Sequence, residues 1–147
     1  MAHPWRESKT ANAETRNMEN KEFNERLVAS VPEMAEPYRL AKEAWGEEEP
    51  GTTIVVEDYL MPLIYKALEK KDEKTLLEVA LWLEDMASSN DEVAKATLFI
   101  GVFEHAYFDG KIEDLKPYFL KETRKMYDGT SLAREQNGQR RDEKHGK

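Results

Sequence analysis

The stretch Asp72-Glu73-Lys74-Thr75-Leu76-Leu77-Glu78-Val79-Ala80-Leu81-Trp82-Leu83-Glu84-Asp85-Met86 decides the fold class. Its apolar positions Leu76, Leu77, Val79, Ala80, Leu83 and Met86 recur at spacings of three and four, the mark of a helix with one face in a core. Asp72 stands where an N-cap should, and the pattern runs out near Ser88-Ser89. Asn90 and Asp91 then cap a second dense run of Val93, Ala94, Thr97, Leu98, Ile100, Gly101 and Phe103, which reads as a central, well-buried helix. Gly101 within it predicts close packing of another helix. Beyond the turn at Asp109-Gly110, Ile112, Leu115, Tyr118, Phe119 and Met126 mark a helix to about Tyr127.

Toward the N-terminus, Val56, Tyr59, Leu60, Leu63, Ile64, Ala67 and Leu68 keep the helical spacing despite Pro62, which should kink the helix or delay its start. Thr52-Thr53-Ile54-Val55-Val56 is β-branched and would pass for a strand alone, but no comparable segment exists to pair with it, so it reads as helix. A helix over Pro32 to Trp45 is expected, capped by Ser30, and another from about Met18 to Ala29. Gly46-Glu47-Glu48-Glu49-Pro50-Gly51 combines helix-stop and turn signals into one acidic loop. The sum is an all-α fold: a compact bundle of about six helices with HEAT-like antiparallel hairpins. Residues 1–17, polar and aperiodic, read as a flexible arm, 18–128 as the helical domain, and 129–147 as a flexible charged tail.

Composition narrows the function. A chain of 147 residues with 39% hydrophobic residues supplies one core. Cysteine is absent, which removes disulfides, thiolate metal sites and thiol catalysis and fits a reducing compartment, so a cytoplasmic location is expected. The first residues lack the apolar run of a signal peptide, and no later run suffices to span a bilayer. A formal net charge of -8 repels phosphate backbones and attracts cationic surfaces, so neither nucleic acid nor membrane is an expected partner. The basic residues of the tail lack interleaved aromatics and read as a solvated end.

Catalytic patterns are sparse. His3 and His145 lie in the ends, leaving His105, which follows Glu104 and precedes Asp109 by one helical turn. The Glu-x-x-His spacing of di-iron bundles does not occur, and no glycine-rich loop opens a helix for a phosphate. No metal, cofactor or catalytic residue is therefore assigned. Adjacent acids such as Glu57-Asp58 and Glu84-Asp85 point about 100° apart on a helix and read as solvated charges rather than a glycosidase pair. The acidic loop with Trp45, Tyr38 and Tyr59 close in sequence suits a cationic protein surface, in which aromatic anchors sit among steering charges. The competing reading puts Trp45 and Tyr59 in the core and leaves the glutamates to keep a loop solvated.

From Phe23 to about Tyr107, a little over half of the chain, the sequence carries in order Phe23-x-x-Arg26-Leu27, Val31-Pro32-Glu33, Tyr38, Glu47-Glu48-Glu49-Pro50, Val56-Glu57-Asp58-Tyr59-Leu60, Leu83-Glu84-Asp85-Met86, Ser89-Asn90-Asp91-Glu92-Val93 and Val102-Phe103-Glu104. In this order of motifs it resembles DUF7674, a family of bacterial helical domains. The long charged ends depart from it. What the resemblance implies is an immunity role, the neutralisation of a cognate toxin by tight binding. The candidate partner-contacting residues are then Trp45, Glu47, Glu48, Glu49, Glu57, Asp58, Glu84 and Asp85. An adaptor binding a housekeeping protein and a small enzyme using Glu104 and His105 are the other expectations.

Overall fold

The hydrophobic face that runs through Leu76, Val79, Trp82, Leu83 and Met86 is sealed from solvent by neighbours on every side. A computed structural model describes residues 17–145, with side chains to residue 138. Among them are eight helices and no strand. They are α1 (Asn20–Ser30), α2 (Ala35–Trp45), α3 (52–70), α4 (Glu73–Ser88), α5 (92–108), α6 (Ile112–Leu115), α7 (Lys121–Asp128) and α8 (Ser131–His145). The helix α4 is the hub, with α1, α3, α5 and α7 packed around it. Trp82 at its centre meets Phe23 of α1 edge to face, ring centroids 5.7 Å apart.

The expected caps on α4 and α5 form. The Asp72 carboxylate accepts the Thr75 N–H at 3.3 Å, and that of Asp91 accepts the Ala94 N–H at 2.8 Å. Ser30, expected as a cap, instead ends α1. The chain turns through Val31, whose N–H reaches the Leu27 carbonyl, and Pro32–Met34 forms a 3-10 turn into α2.

The strand-like residues 52–56 are helical, and Pro62 lies inside α3. The helix accommodates it by widening: Val56–Leu60 is a π stretch, where the Met61 N–H reaches back to the Val56 carbonyl. Widening just before the proline relieves the crowding its ring would impose on the preceding turn. A second π stretch, Leu98–Glu104, lies in α5 and packs against the first. Gly101 is the reason they can approach: a Cβ there would sit 2.9 Å from Val56 Cγ1.

Two expectations at the C-terminal side need correction. The single helix expected up to Tyr127 is two. After α6 a 3-10 turn at Lys116–Tyr118 carries Pro117, Phe119 and Leu120 are extended, and α7 starts at Lys121. Eight residues along one helix would separate Phe119 and Tyr127 by about 12 Å. The break instead lets them meet with centroids 5.8 Å apart, both against Phe103. The tail assigned to residues 129–147 starts instead as α8, because Leu132 and Ala133 are buried in the core. The Tyr127 hydroxyl donates to Gln136 at 2.7 Å and that of Tyr107 to Glu135 at 2.8 Å. The arm assigned to residues 1–17 lies outside the described residues except for Asn17. No described helix is long and apolar enough to cross a membrane.

Candidate functional site

The helices α2 and α3 form a hairpin, and the acidic loop is its bend. Gly46 stops α2 with a φ of 72°, a conformation open to glycine. Trp45 is 40% exposed, and Glu47 and Glu48 face solvent with it. Glu49 does not join them. Its carboxylate turns inward to accept hydrogen bonds from Asn24 Nδ2 at 3.0 Å and from the Tyr38 hydroxyl. Burial and the adjacent carboxylate both push the Tyr38 phenol above its ordinary range. Asn24, wholly buried, also donates to the Pro50 carbonyl at 3.0 Å. Glu49 and Pro50 therefore anchor the loop to α1, and only Glu47 and Glu48 of its three glutamates are presented outward.

The other expected acids also divide. Glu57 and Asp58 lie on different walls of α3. Asp58 lines a groove against α2, while Glu57 lines a depression against α5. Glu84 is committed inside the fold: its carboxylate accepts the N–H groups of Glu122 and Thr123 at 2.8 and 3.0 Å and the Thr123 hydroxyl at 3.0 Å. It caps α7 from a neighbouring helix, a service that Leu120 at the N-cap position cannot render. Burial drives its pKa up, but the donated hydrogen bonds outweigh this and hold the carboxyl below its ordinary value. Asp85 is paired with Arg26 of α1 at 2.9 Å on the surface.

The groove between α2 and α3 has a volume of about 600 Å³. Its walls are Pro37 and Leu40 from α2 and Tyr59, Pro62 and Leu63 from α3, and Leu40 is 45% exposed. Asp58 and Glu36 edge it, and at the far end it reaches Glu33, Lys66, Lys70, Asp72 and Thr75. Glu33 accepts from Lys74 Nζ and from the Thr75 hydroxyl, both at 3.2 Å, and Lys74 also reaches Glu78 at 3.0 Å. The neighbouring Glu78 carboxyl, the Lys74 ammonium and the Thr75 hydroxyl together outweigh burial and lower the Glu33 pKa from 4.5 to about 2. Tyr59 is thus neither wholly core nor wholly exposed, and it lies between the two readings the sequence left open.

Sequence reasoning missed the far side of α3. Pro62, Lys66 and Lys70 form a ridge shared by the groove and a second cleft of about 1000 Å³, where Lys71 and Lys111 join them beside Tyr65 and Tyr118. The run Lys70-Lys71 with Lys66 four residues earlier was the available signal.

His105 lies in a shallow depression of about 240 Å³ with Glu57, Ile100, Glu104, Phe108 and Asp109. Its Nε2 is 3.2 Å from Asp109, which also accepts the Tyr65 hydroxyl at 2.8 Å. None of these lining residues is a serine, threonine or cysteine. Among the described residues no group of three His, Cys, Asp or Glu side chains is placed to hold a metal ion.

A family model described as a domain of unknown function, DUF7674, matches residues 24–134. The chain belongs to this family. The match runs through α7 into α8, beyond the end expected at Tyr107. No curated protein and no solved structure matches the chain.

Proposed function

We propose that this member of the DUF7674 family is a protein-binding domain that neutralises a cognate toxin by covering a cationic surface. The observation that supports the reading most is the groove between α2 and α3. Its walls are apolar and accessible, and Asp58 lies on the same α2–α3 hairpin whose bend presents Trp45, Glu47 and Glu48. Grooves of this form accept one apolar face of a partner helix or loop, while outlying carboxylates steer a basic protein toward them.

A partner captured from the native host with the full chain should inhibit growth when expressed alone and lose that effect when this domain is co-expressed. Leu40→Asp places a charge on the exposed groove wall without touching the core and should abolish the rescue. A captured partner that is harmless by itself, or whose effect the domain leaves unchanged at equal stoichiometry, would overturn the immunity reading. Rescue that survives Leu40→Asp would move the contact away from the groove.

A further inference from the structure

The crossing of α3 and α5 builds a second surface whose chemistry is narrower than that of the groove. Val56 seats on Gly101, and the next residue along α3, Glu57, thereby comes to line one depression with Ile100, Glu104 and Phe108 of α5. Ile100, Glu104 and Phe108 are spaced four apart and share one helix face. Phe108 is 73% exposed and Ile100 43%, so two large apolar side chains stand in water beside partly buried carboxylates.

Most other partly buried acids in the molecule are satisfied within it. Glu33 is engaged by Lys74 and Thr75, Glu49 by Asn24 and Tyr38, and Glu84 by the start of α7. Asp109, at the edge of this depression, is taken by Tyr65 and His105. Glu57 and Glu104 have no hydrogen-bond or ion-pair partner among the described residues. Half-buried carboxylates left without donors gain more from an incoming cation than exposed ones do, because part of their hydration is already lost.

We propose that the depression between α3 and α5 is a pocket for a single arginine side chain of a protein partner, its guanidinium between Glu57 and Glu104 and over the Phe108 ring. A volume of about 240 Å³ suits one long side chain and falls below the roughly 300–1,000 Å³ of small-molecule sites. A planar guanidinium serves two carboxylates from different helices at once and stacks on an aromatic ring, and a lysine ammonium does this less well. The inference rests on the reading of the chain as a protein-binding domain, but it places this contact on the other wall of α3 from the groove.

The test uses the full chain and a short alanine-based peptide with one arginine, together with lysine and citrulline counterparts, titrated at low ionic strength and followed by backbone amide NMR shifts. The arginine peptide should shift the amides of Glu57, Ile100, Gly101, His105 and Phe108, and the isosteric but neutral citrulline peptide should not. Glu57→Gln with Glu104→Gln should weaken the arginine peptide by about fivefold or more, as loss of two charge-assisted contacts requires. Equal shifts with citrulline, shifts centred on Glu47, Glu48 and the groove, or an unchanged titration in the double variant would each overturn the pocket. Leu40→Asp separates the two sites: it should leave this titration unchanged even where it abolishes the partner's capture through the groove.

Discussion

Gly101 shows how much one missing side chain decides. A Cβ at this position meets Val56 Cγ1 at 2.9 Å, and Val56 is itself wholly buried, so the valine cannot swing into solvent to make room. Gly101→Ala should therefore destabilise the fold by about 1–3 kcal/mol, the cost of overpacking, despite the better helix propensity of alanine. Urea denaturation measures this, and the paired change Val56→Ala should recover part of the loss because the two sites share one contact. Glu33 is the second residue whose surroundings yield a number. Its pKa is about 2 against an ordinary 4.5, so the folded state binds the proton less readily than the unfolded chain. The stability it confers is complete above pH 4.5 and is lost as pH falls toward 2. The stability difference between the wild-type chain and Glu33→Gln should accordingly shrink over that range, and a difference constant with pH would mean that Glu33 acts by packing alone.

At the scale of elements, what the sequence disclosed and what it hid separate along a physical line. Helices whose apolar spacing is dense, α4 and the first part of α5, were legible with their caps because Asp72 and Asp91 sit beside the residues they cap. The cap of α7 was not legible, since its carboxylate, Glu84, lies 38 residues away along the chain from Glu122. The π stretches were equally hidden: Pro62 announced a disturbance in α3, but the second stretch, in α5, has no proline to announce it, and the contact between the two joins residues far apart in the chain. The outset of α8 was overlooked because its many charges outweighed two apolar residues in a composition-based reading, although burial of Leu132 is what holds the element. Leu132→Ala should cost about 2–4 kcal/mol, as for a core leucine. Glu84→Ala should cost about 1–3 kcal/mol through donors left unpaired at the start of α7. Thermal or urea unfolding checks both, and a neutral Leu132→Ala would return this segment to the status of a loose tail.

Over the whole molecule, a net charge of -8 sets the sign of the long-range field, but the structure distributes the acids unequally in accessibility. The candidate surface inferred from sequence treated Glu47, Glu48 and Glu49 alike, since neighbours in a loop carry no sign of which one turns inward. The partner of Glu49 is the buried Asn24–Tyr38 pair, so its charge is spent in holding the loop, while Glu47 and Glu48 beside Trp45 are the loop charges presented to an approaching protein. Reversal of those two, Glu47→Lys with Glu48→Lys, should slow association with a basic partner by roughly tenfold at low ionic strength, and the difference should fade as salt screens the field. The dissociation rate should change little, because steering charges act on encounter rather than on the docked contact. Glu49→Gln is expected to behave differently, loosening the loop and lowering thermal stability with little change in the salt dependence of association. Stopped-flow association across a salt series, with all three variants and the captured partner, distinguishes these effects; equal slopes of rate against salt for wild type and the double reversal would remove the loop from the encounter surface.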